Sequence, residues 1–194
     1  MNEAIDYGYY REEKINGKIY YMAPSSNPHH EEIITNITYL LKKYMIETGK
    51  NCIVYGDGVD VYLSGNIDDD YVIPDVSVVC DLSKISDRGI MGAPLFIAEV
   101  ISLSSIECDE KDKLELYEKY GVKEYWIVDY KNKLVKQYIL SDGKYISCNF
   151  HYLMSRFEFN KLSDAEKEKK KGKSKFFISV FPDLEVDLSN VFRI

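Results

Sequence analysis

The sequence predicts an α/β fold, in which a mixed β-sheet is flanked by helices and joined by additional antiparallel strands. Two observations support this prediction. Segments with strand character and segments with helical periodicity follow one another in the order helix, three strands, helix, strand. Residues 95–101 are nearly all apolar, which is typical of a strand that is covered on both faces, and 124–129 have the character of another buried strand.

Length and composition bound the class of protein. A chain of 194 residues predicts a single domain spanning 1–194, and 45% apolar with 29% charged residues is ordinary for a globular protein. No apolar run approaches the roughly 18–20 residues needed to cross a membrane, and no secretory signal is visible at the N-terminus. The four cysteines are scattered without a CxxC pair, which fits reduced thiols. We therefore expect a cytoplasmic protein without membrane association.

The charge of the chain is unevenly distributed. The net charge of −7 argues against a broadly basic nucleic-acid binder. Residues 167–175 nevertheless contain six Lys and one Glu, so that the remainder of the chain carries −12. We interpret this segment as part of a solvated surface insertion at about 163–175. The alternative is a basic flap that steers a phosphate backbone.

Local signals predict the first elements. Residues 9–22 alternate on both sides of Asn16-Gly17, a strong turn dipeptide, and predict a β-hairpin. Asn27 as N-cap and Pro28 at the first helical position then begin a helix over 28–48, which ends at Gly49. Its apolar stripe follows the i, i+3/i+4 rule and comprises Ile33, Ile34, Ile37, Leu40, Leu41, Tyr44 and Met45.

The rest of the chain alternates between strands and one further helix. Strand-like runs occupy 51–63, 71–80, 95–101 and 124–129. Between the last two, Ser104 and Glu107 form a potential capping box for a helix that stops at Gly121. A second hairpin is predicted from 133–140 and 144–150. The tail, 176–192, suggests a final strand with a bend at 182–184.

Three charged residues occupy positions that should be apolar. Asp75 interrupts the run 71–79, Glu99 is the only charge in 95–101, and Lys113 lies on the apolar stripe of the second predicted helix. Burying such charges costs several kcal/mol each unless they are paired or bind a cation. Two carboxylates and an ammonium that converge suit a divalent metal, an activated water and an anionic substrate. Such a site can cut a phosphodiester.

Each of these residues also has a structural interpretation. Asp75 could cap nearby backbone N–H groups at a strand entrance, and Glu99 could form a purely structural pair with Lys113. On a helical wheel Lys113 falls in the middle of the apolar face with Asp109 beside it. The two could therefore form an i, i+4 pair that reaches the helix edge.

Two further residues are candidates for supporting roles. His30 lies near the centre of the first helix's apolar stripe, where it is either a packed histidine or a metal ligand or phosphate contact. Tyr117 is one turn beyond Lys113. It is either a core tyrosine or a residue that binds a phosphate or fixes Lys113.

Four motifs in order carry a resemblance to a known family. The chain resembles the Uma-two family of proposed restriction endonucleases, in the PD-(D/E)XK nuclease superfamily. The motifs are Ile-Pro-Asp-Val-Ser-Val-Val at 73–79, Pro-Leu-Phe-Ile-Ala-Glu-Val-Ile-Ser at 94–102, Asp109-x3-Lys113-x3-Tyr117, and Gly-Val-Lys-Glu-Tyr-Trp-Ile-Val-Asp at 121–129. The resemblance also takes in Pro24-Ser25 with His30 and the closing Phe-Pro-Asp-Leu at 181–184, and so covers nearly the whole chain.

The resemblance implies a restriction-endonuclease-like core and a metal-dependent endonuclease that acts on DNA with Mg²⁺ or Mn²⁺. Asp75 then matches the metal-binding aspartate and Glu99 the acidic residue of the (D/E)XK element. A backbone carbonyl near Val100 completes the metal site, with His30 in place of the acidic residue on the first helix. The lysine expected two residues after Glu99 is replaced by Ile101, and Lys113 matches the lysine that Uma-two-like proteins carry on the next helix.

Two other classes of function compete with this reading. The first is a catalytically silent module that binds nucleic acid or a protein partner on a nuclease fold, since fold does not imply activity. The second is a protein of unrelated function in which the charged trio is a structural ion-pair network. A homodimer is plausible for this class of nuclease.

Overall fold

A computed structural model of the protein describes residues 11–22, 27–101, 108–170 and 172–193. It contains fourteen strands and five α-helices in these ranges. In chain order they are β1 Arg11–Ile15, β2 Lys18–Met22, α1 Pro28–Thr48, β3 Ile53–Tyr55, β4 Val61–Tyr62, β5 Tyr71–Val72, β6 Val76–Val79, β7 Ile85–Ser86, β8 Gly89–Met91, β9 Phe96–Val100, α2 Lys113–Tyr120, β10 Glu124–Asp129, β11 Leu134–Ser141, β12 Lys144–Tyr152, α3 Arg156–Asn160, α4 Asp164–Lys170, β13 Lys175–Ile178, β14 Phe181–Asp187 and α5 Leu188–Val191.

The strands form two six-stranded sheets and one hairpin. The first sheet has the order β2-β1-β5-β4-β8-β7, the second has the order β12-β11-β10-β9-β6-β3, and β13 pairs with β14. In the second sheet only β9 and β10 are parallel, and the segment that contains α2 connects them. A mixed sheet flanked by helices with additional antiparallel strands is therefore the observed architecture, as predicted.

The second sheet separates two apolar clusters. The even-numbered residues of β9 face a cluster that contains the buried stripe of α1, whereas Ile97 and Ile101 face a cluster that contains α2 and the first sheet. Side chains alternate across a strand with a period of two. Glu99 must therefore point to the side of α2, and this places its carboxylate between the second sheet and the first.

The local signals at both hairpins and at α1 are confirmed. Asn16 and Gly17 both have positive φ, as do Asp142 and Gly143, which is the geometry of a type I′ hairpin turn. The side chain of Asn27 accepts a hydrogen bond from the N–H of His30, and Gly49 ends α1 in the left-handed region. The stripe is buried as predicted, apart from the partly buried Leu40.

Several predicted boundaries were wrong. The run 51–63 is two strands, because the chain turns at residues 56–58, where Gly58 has φ +96°. The run 71–80 is also two strands, interrupted at 73–75 by Pro74, which has no N–H to donate. Residues 182–184 lie inside β14 rather than at a bend. The capping box of Ser104 and Glu107 lies outside the described residues, and Cys108–Asp112 is a π-helical turn rather than α-helix.

The expectation of reduced thiols throughout the chain was also wrong. Cys52 and Cys80 form a disulfide. They are adjacent because β3 pairs antiparallel with β6, with Ile53 opposite Val79. Cys52, which precedes Ile53, therefore lies opposite Cys80, which follows Val79. Cys148 is free. No helix in the described ranges is both long and apolar enough to span a membrane.

Candidate active site

Asp75 lies in the connection between β5 and β6, and its side chain is buried. Its Oδ2 accepts a hydrogen bond of 2.7 Å from the backbone N–H of Val100, at the end of the neighbouring strand β9. Its own N–H points to Glu99 Oε2 at 3.3 Å. Asp75 thus does bond a backbone N–H group, as the structural interpretation expected, and this bond holds its carboxylate against the β9 residues of the site. Asp75 Oδ1 accepts no hydrogen bond from the residues that the structure describes.

Glu99 and Lys113 form a buried ion pair. Each has only 3% of its surface exposed, and Lys113 Nζ is 3.0 Å from Glu99 Oε1. The same carboxylate oxygen accepts a hydrogen bond of 2.7 Å from the hydroxyl of Tyr117, one turn further along α2. Burial and the neighbouring charge of Glu99 raise the pKa of Tyr117 well above its usual range. Tyr117 therefore remains neutral and donates to Glu99, so it is both a core residue and a site residue.

Glu13 is a fourth charged residue of the site, and the sequence analysis missed it. Its Oε2 lies 3.0 Å from Lys113 Nζ, and its Oε1 accepts a hydrogen bond of 2.7 Å from the N–H of Ile73. Because β1 pairs with β5, the Glu13 carboxylate is brought to the interruption between β5 and β6 at residues 73–75. Glu13 falls on the same face of β1 as the buried Ile15, but it lies in a run of four charged residues, 11–14, so the sequence alone did not single it out.

His30 lies beside Asp75, at the N-terminal end of α1. Its Nε2 is 3.3 Å from Asp75 Oδ2. Burial by itself would lower the pKa of His30. The hydrogen bond to Asp75, the charges of Asp75 and Glu31, and the backbone carbonyl of Val100 more than offset burial, and the pKa is raised. The Val100 carbonyl therefore faces the same space as His30 and Asp75.

A second cation borders this cluster on the side of β1. Arg11 forms a bidentate ion pair with Asp57, with both N···O distances at 2.6 Å. The Asp57 carboxylate raises the pKa of Arg11, and the charges of Asp75 and Glu13 add to this effect. Arg11 therefore lies within electrostatic range of the buried carboxylates while its own charge is balanced by Asp57.

The structure brings the predicted site residues together, except for Asp109, whose side chain it does not describe. Contacts link Asp75, Glu99, Lys113, Tyr117 and His30 with the Val100 backbone into one largely buried cluster, which we call the pocket. The side chain of Asp109 lies outside the described part of the chain, so that its predicted contact with Lys113 stays a prediction. Among the described side chains, Glu13 is the second carboxylate on Lys113.

The pocket has the donors that a hard divalent cation prefers. In the described residues, Glu13 and Glu99 contact the buried ammonium of Lys113 and Asp75 lies against His30, so that three carboxylates outnumber the ammonium when His30 is neutral. Carboxylate and carbonyl oxygens are the usual ligands of Mg²⁺ and Mn²⁺. No set of three or more His, Cys, Asp or Glu side chains in the described ranges is arranged as a metal site. A fit therefore requires the Asp75 and Glu99 carboxylates together with the main-chain carbonyl of Val100, with His30 adjacent.

Fold and site together place Asp75 directly before β6 and Glu99 near the end of the adjacent strand β9 of a mixed sheet. The sequence model of the Uma2 family, described as "Putative restriction endonuclease", matches residues 6–164. The chain belongs to this family, which confirms the resemblance seen in the four motifs.

A solved structure shares the fold of this chain. A crystal structure from Anabaena variabilis, named as a "putative nuclease belonging to DUF820", aligns with a TM-score of 0.66 and 15% sequence identity. The alignment covers 94% of this chain and 89% of that chain. A search of curated proteins gives no match.

Proposed function

We propose that the protein is an endonuclease that hydrolyses phosphodiester bonds in DNA with the help of Mg²⁺ or Mn²⁺. The observation that supports this most strongly is the convergence of Asp75, Glu99 and Lys113, which come from three different elements, in one buried pocket. The excess of carboxylates over ammonium groups in this pocket favours a divalent cation. The description of the family points to the same class of reaction.

Each residue has a role that follows from its contacts. Asp75, Glu99 and the Val100 carbonyl would hold the ion, with His30 as a further ligand or phosphate contact. When bound, such an ion activates a water molecule and stabilises negative charge on the scissile phosphate. Lys113 would orient the attacking water or neutralise the charge that develops on the phosphate.

A catalytically silent binding module is the second candidate, and the geometry of Lys113 favours it. The ammonium lies 3.0 Å from both Glu13 and Glu99 and is almost fully buried, so that its charge is already satisfied. A lysine in this position contacts a phosphate only after one of these two carboxylates has moved. Such a module would need neither a metal at Asp75 and Glu99 nor a mobile lysine.

The test is a cleavage assay on plasmid, linear duplex and single-stranded DNA with Mg²⁺, Mn²⁺ or EDTA. Glu99→Gln and Asp75→Asn keep the size of each side chain but remove the negative charge that an ion requires. We expect metal-dependent cutting by the wild type and a loss of at least about 100-fold in both variants. Glu115→Gln is the matched control, because Glu115 is an exposed carboxylate on the same helix as Lys113.

Two outcomes would contradict the proposal. Cutting by Glu99→Gln at the rate of the control would show that Glu99 is not in the active site. Absence of cutting from folded wild-type protein, with no Mn²⁺ binding by calorimetry, would favour the silent module instead.

A further inference from the structure

The lysine-rich segment lies at the same end of the second sheet as the candidate active site. β9 and β10 are parallel and end at Val100 and Asp129, and the antiparallel neighbours place the beginning of β11 and the end of β12 at this same end. α3 and α4 follow β12 directly. Adjacent strands are about 4.8 Å apart, so the end of β12 lies about 14 Å across the sheet from the end of β9.

A continuous series of contacts connects the site to this segment. Asn27, the cap of the helix that carries His30, donates a hydrogen bond of 2.9 Å to the hydroxyl of Tyr130, which follows β10. Lys131 lies over the Tyr130 ring, with its Nζ 6.0 Å from the centroid. These contacts therefore run from the N-terminal end of α1, which carries His30, to the connection between β10 and β11.

The series continues across the ends of β11 and β12. The N–H of Leu153 donates to the carbonyl of Lys133, and the N–H of Tyr152 donates to the carbonyl of Lys173. Lys133 and Lys161 both act on the carboxylate of Glu158, whose pKa is lowered chiefly by its hydrogen bonds to Ser155. The residues after β10, the helix α3 and the segment after α4 are therefore neighbours.

We call residues 130–133, 156–170, 172 and 173 the basic rim. They contain eight Lys or Arg and four Asp or Glu, a net charge of +4 on a chain whose net charge is −7. Lysines lie over aromatic rings at two further places on the rim or beside it. Lys161 Nζ is 4.1 Å from the ring centroid of Phe157, and Lys170 Nζ is 5.5 Å from that of Tyr152. Phe157 is 69% exposed, which leaves its ring open to a planar ligand.

We propose that the basic rim binds the sugar–phosphate backbone of a nucleic acid whose scissile phosphate lies at Asp75 and Glu99, and that Phe157 stacks on one of its bases. Lysines interleaved with exposed aromatic rings are the combination that binds single-stranded nucleic acid. The distance of about 14 Å corresponds to roughly four phosphates along one strand of a duplex. The inference rests on the proposed nuclease function for the position of the scissile phosphate.

The C-terminal part of the rim lies outside the family match. The family model ends at residue 164, so Lys167, Lys169, Lys170 and Lys173 lie beyond it. If the segment is merely a solvated insertion, nucleic acid should bind to it no better than to any other part of the surface. The acidic remainder of the chain would direct a polyanion to this end of the sheet.

The test compares two triple variants that remove the same charge from opposite ends of the sheet. The rim variant is K133Q/K161Q/K173Q, and the control is K50Q/K119Q/K123Q. The control lysines are also exposed, but they follow α1, lie in the last turn of α2 or precede β10. Binding of fluorescent single-stranded and duplex oligonucleotides, as DNA and as RNA, is measured by anisotropy in EDTA at several salt concentrations.

We expect the rim variant to bind single strands at least about tenfold more weakly at low salt. Its slope of log K against log salt should fall by about 2, because each lost phosphate contact on a single strand contributes about 0.7. The control should stay within about twofold of the wild type. Phe157→Ala should weaken single-strand binding at least about fivefold with an unchanged salt slope, because stacking releases no counterions.

Equal losses in the two triple variants, an unchanged rim variant, or a wild type that binds no nucleic acid at low salt would each overturn the proposal. Failure of the nuclease function is a separate result. A protein that does not cut but loses binding only in the rim variant retains the rim and refutes the nuclease. A protein that cuts with Mg²⁺ while its rim variant binds nucleic acid normally supports the nuclease and refutes the rim.

Discussion

At the scale of single residues, the most consequential arrangement is Lys113 between two buried carboxylates. Glu13 and Glu99 each lie 3.0 Å from its ammonium, and all three side chains are nearly inaccessible to water. Removal of the shared cation would leave two buried carboxylates without their main counter-charge. Breaking a buried ion pair in this way typically costs about 3–5 kcal/mol.

We therefore expect Lys113→Met to lower the free energy of unfolding by about 3–5 kcal/mol in urea titrations at neutral pH. Methionine fills a similar volume, so that the loss reports charge rather than a cavity. Lys119→Met, on the exposed face of the same helix, should stay within about 0.5 kcal/mol of the wild type. Equal stability of the two variants would mean that Glu13 and Glu99 become neutral or solvated at little cost.

A second buried polar network lies on the other side of the core. Gln137 donates through Nε2 to Glu124 and to the carbonyl of Phe177, so its Oε1 must accept from the Nε2–H of His151 at 2.9 Å. His151 Nδ1 is then the unprotonated nitrogen, and it has no hydrogen-bond partner among the described residues. Burial lowers the pKa of His151 to about 4, and the charge of Lys173 acts in the same direction.

This network predicts a loss of stability in mild acid. The unfolded chain takes up a proton at His151 near pH 6.5, whereas the folded protein does so only near pH 4. Stability is therefore fully present above pH 6.5, declines by at most about 3 kcal/mol as the pH falls to 4, and is level below it. Glu124, whose pKa burial raises, opposes this trend because the folded state binds its proton more readily.

The contribution of His151 is isolated by comparing the wild type with His151→Gln between pH 4 and 8. Glutamine can donate to Gln137 but does not titrate. The variant should therefore gain on the wild type as the pH falls through this range. The exposed His29→Gln serves as control and should follow the wild type. A constant difference between wild type and His151→Gln at all pH values would exclude His151 as the source.

At the scale of elements, glycines show where backbone segments meet. Gly89 begins β8 with φ +130°, and a Cβ atom there would collide with the backbone carbonyl of Asp60, which accepts a hydrogen bond from the N–H of Ile90. Gly143, in the turn between β11 and β12, has φ +79°, and a Cβ atom added there would have no atom outside the adjacent residues within 4 Å. The two positions share an unfavourable φ for other residues, but only Gly89 has a close neighbour.

Gly89→Ala should therefore destabilise the protein more than Gly143→Ala. The turn variant is expected to lose about 1–2 kcal/mol from its left-handed backbone alone. The β8 variant should lose at least twice as much, because β4 and β8 must also separate. Thermal unfolding of both variants measures the difference. Equal losses would indicate that β8 shifts away from Asp60 at no cost.

Elements with local signals were predicted well from sequence, and those that depend on distant partners were not. The cap at Asn27, the left-handed Gly49 and the two turn dipeptides depend on neighbours within a few residues. The interruption of the strand at Pro74 could be expected from its missing N–H. The acceptor that replaces the strand partner could not, because Glu13 is sixty positions away from Ile73.

The candidate site divides in the same way. Asp75, Glu99 and Lys113 were visible because each contradicts its apolar surroundings. Glu13 contradicts nothing in a hairpin that alternates polar and apolar residues, and its burial appears only once β1 pairs with β5. A charged residue in a half-exposed strand therefore gives no signal until its partner strand is known.

At the scale of the whole molecule, the disulfide links β3, the edge strand of the second sheet, to its neighbour β6. Cys52 and Cys80 are separated by 28 positions, and both are packed against the cluster that contains α1. Between them the chain forms β4, β5 and the Asp75 segment. Closing a loop of this length stabilises a folded chain by about 3 kcal/mol in the chain-entropy description.

We expect reduction, or the paired variant C52S/C80S, to lower the free energy of unfolding by about 3 kcal/mol. Urea titrations with and without a reductant measure this loss, and the double variant should be insensitive to the reductant. Cys148→Ser should keep the response of the wild type, because Cys148 is not in the disulfide. A wild type that is indifferent to the reductant would show that the bond contributes nothing to stability.

Around the strand interruption at Pro74, backbone amide groups donate to the carboxylates of the site instead of to a neighbouring strand. The N–H groups of Ile73, Asp75 and Val100 donate to the carboxylates of Glu13, Glu99 and Asp75. The amides of Asp75 and Val100 are therefore bonded to the carboxylates proposed to hold the ion, whereas the amide of Ile73 is bonded to Glu13. An ion that draws Asp75 and Glu99 towards itself must weaken the bonds at Asp75 and Val100, and leave that at Ile73 in place. Resonance shifts and solvent exchange of three amides would then report occupancy of the pocket without any turnover of substrate.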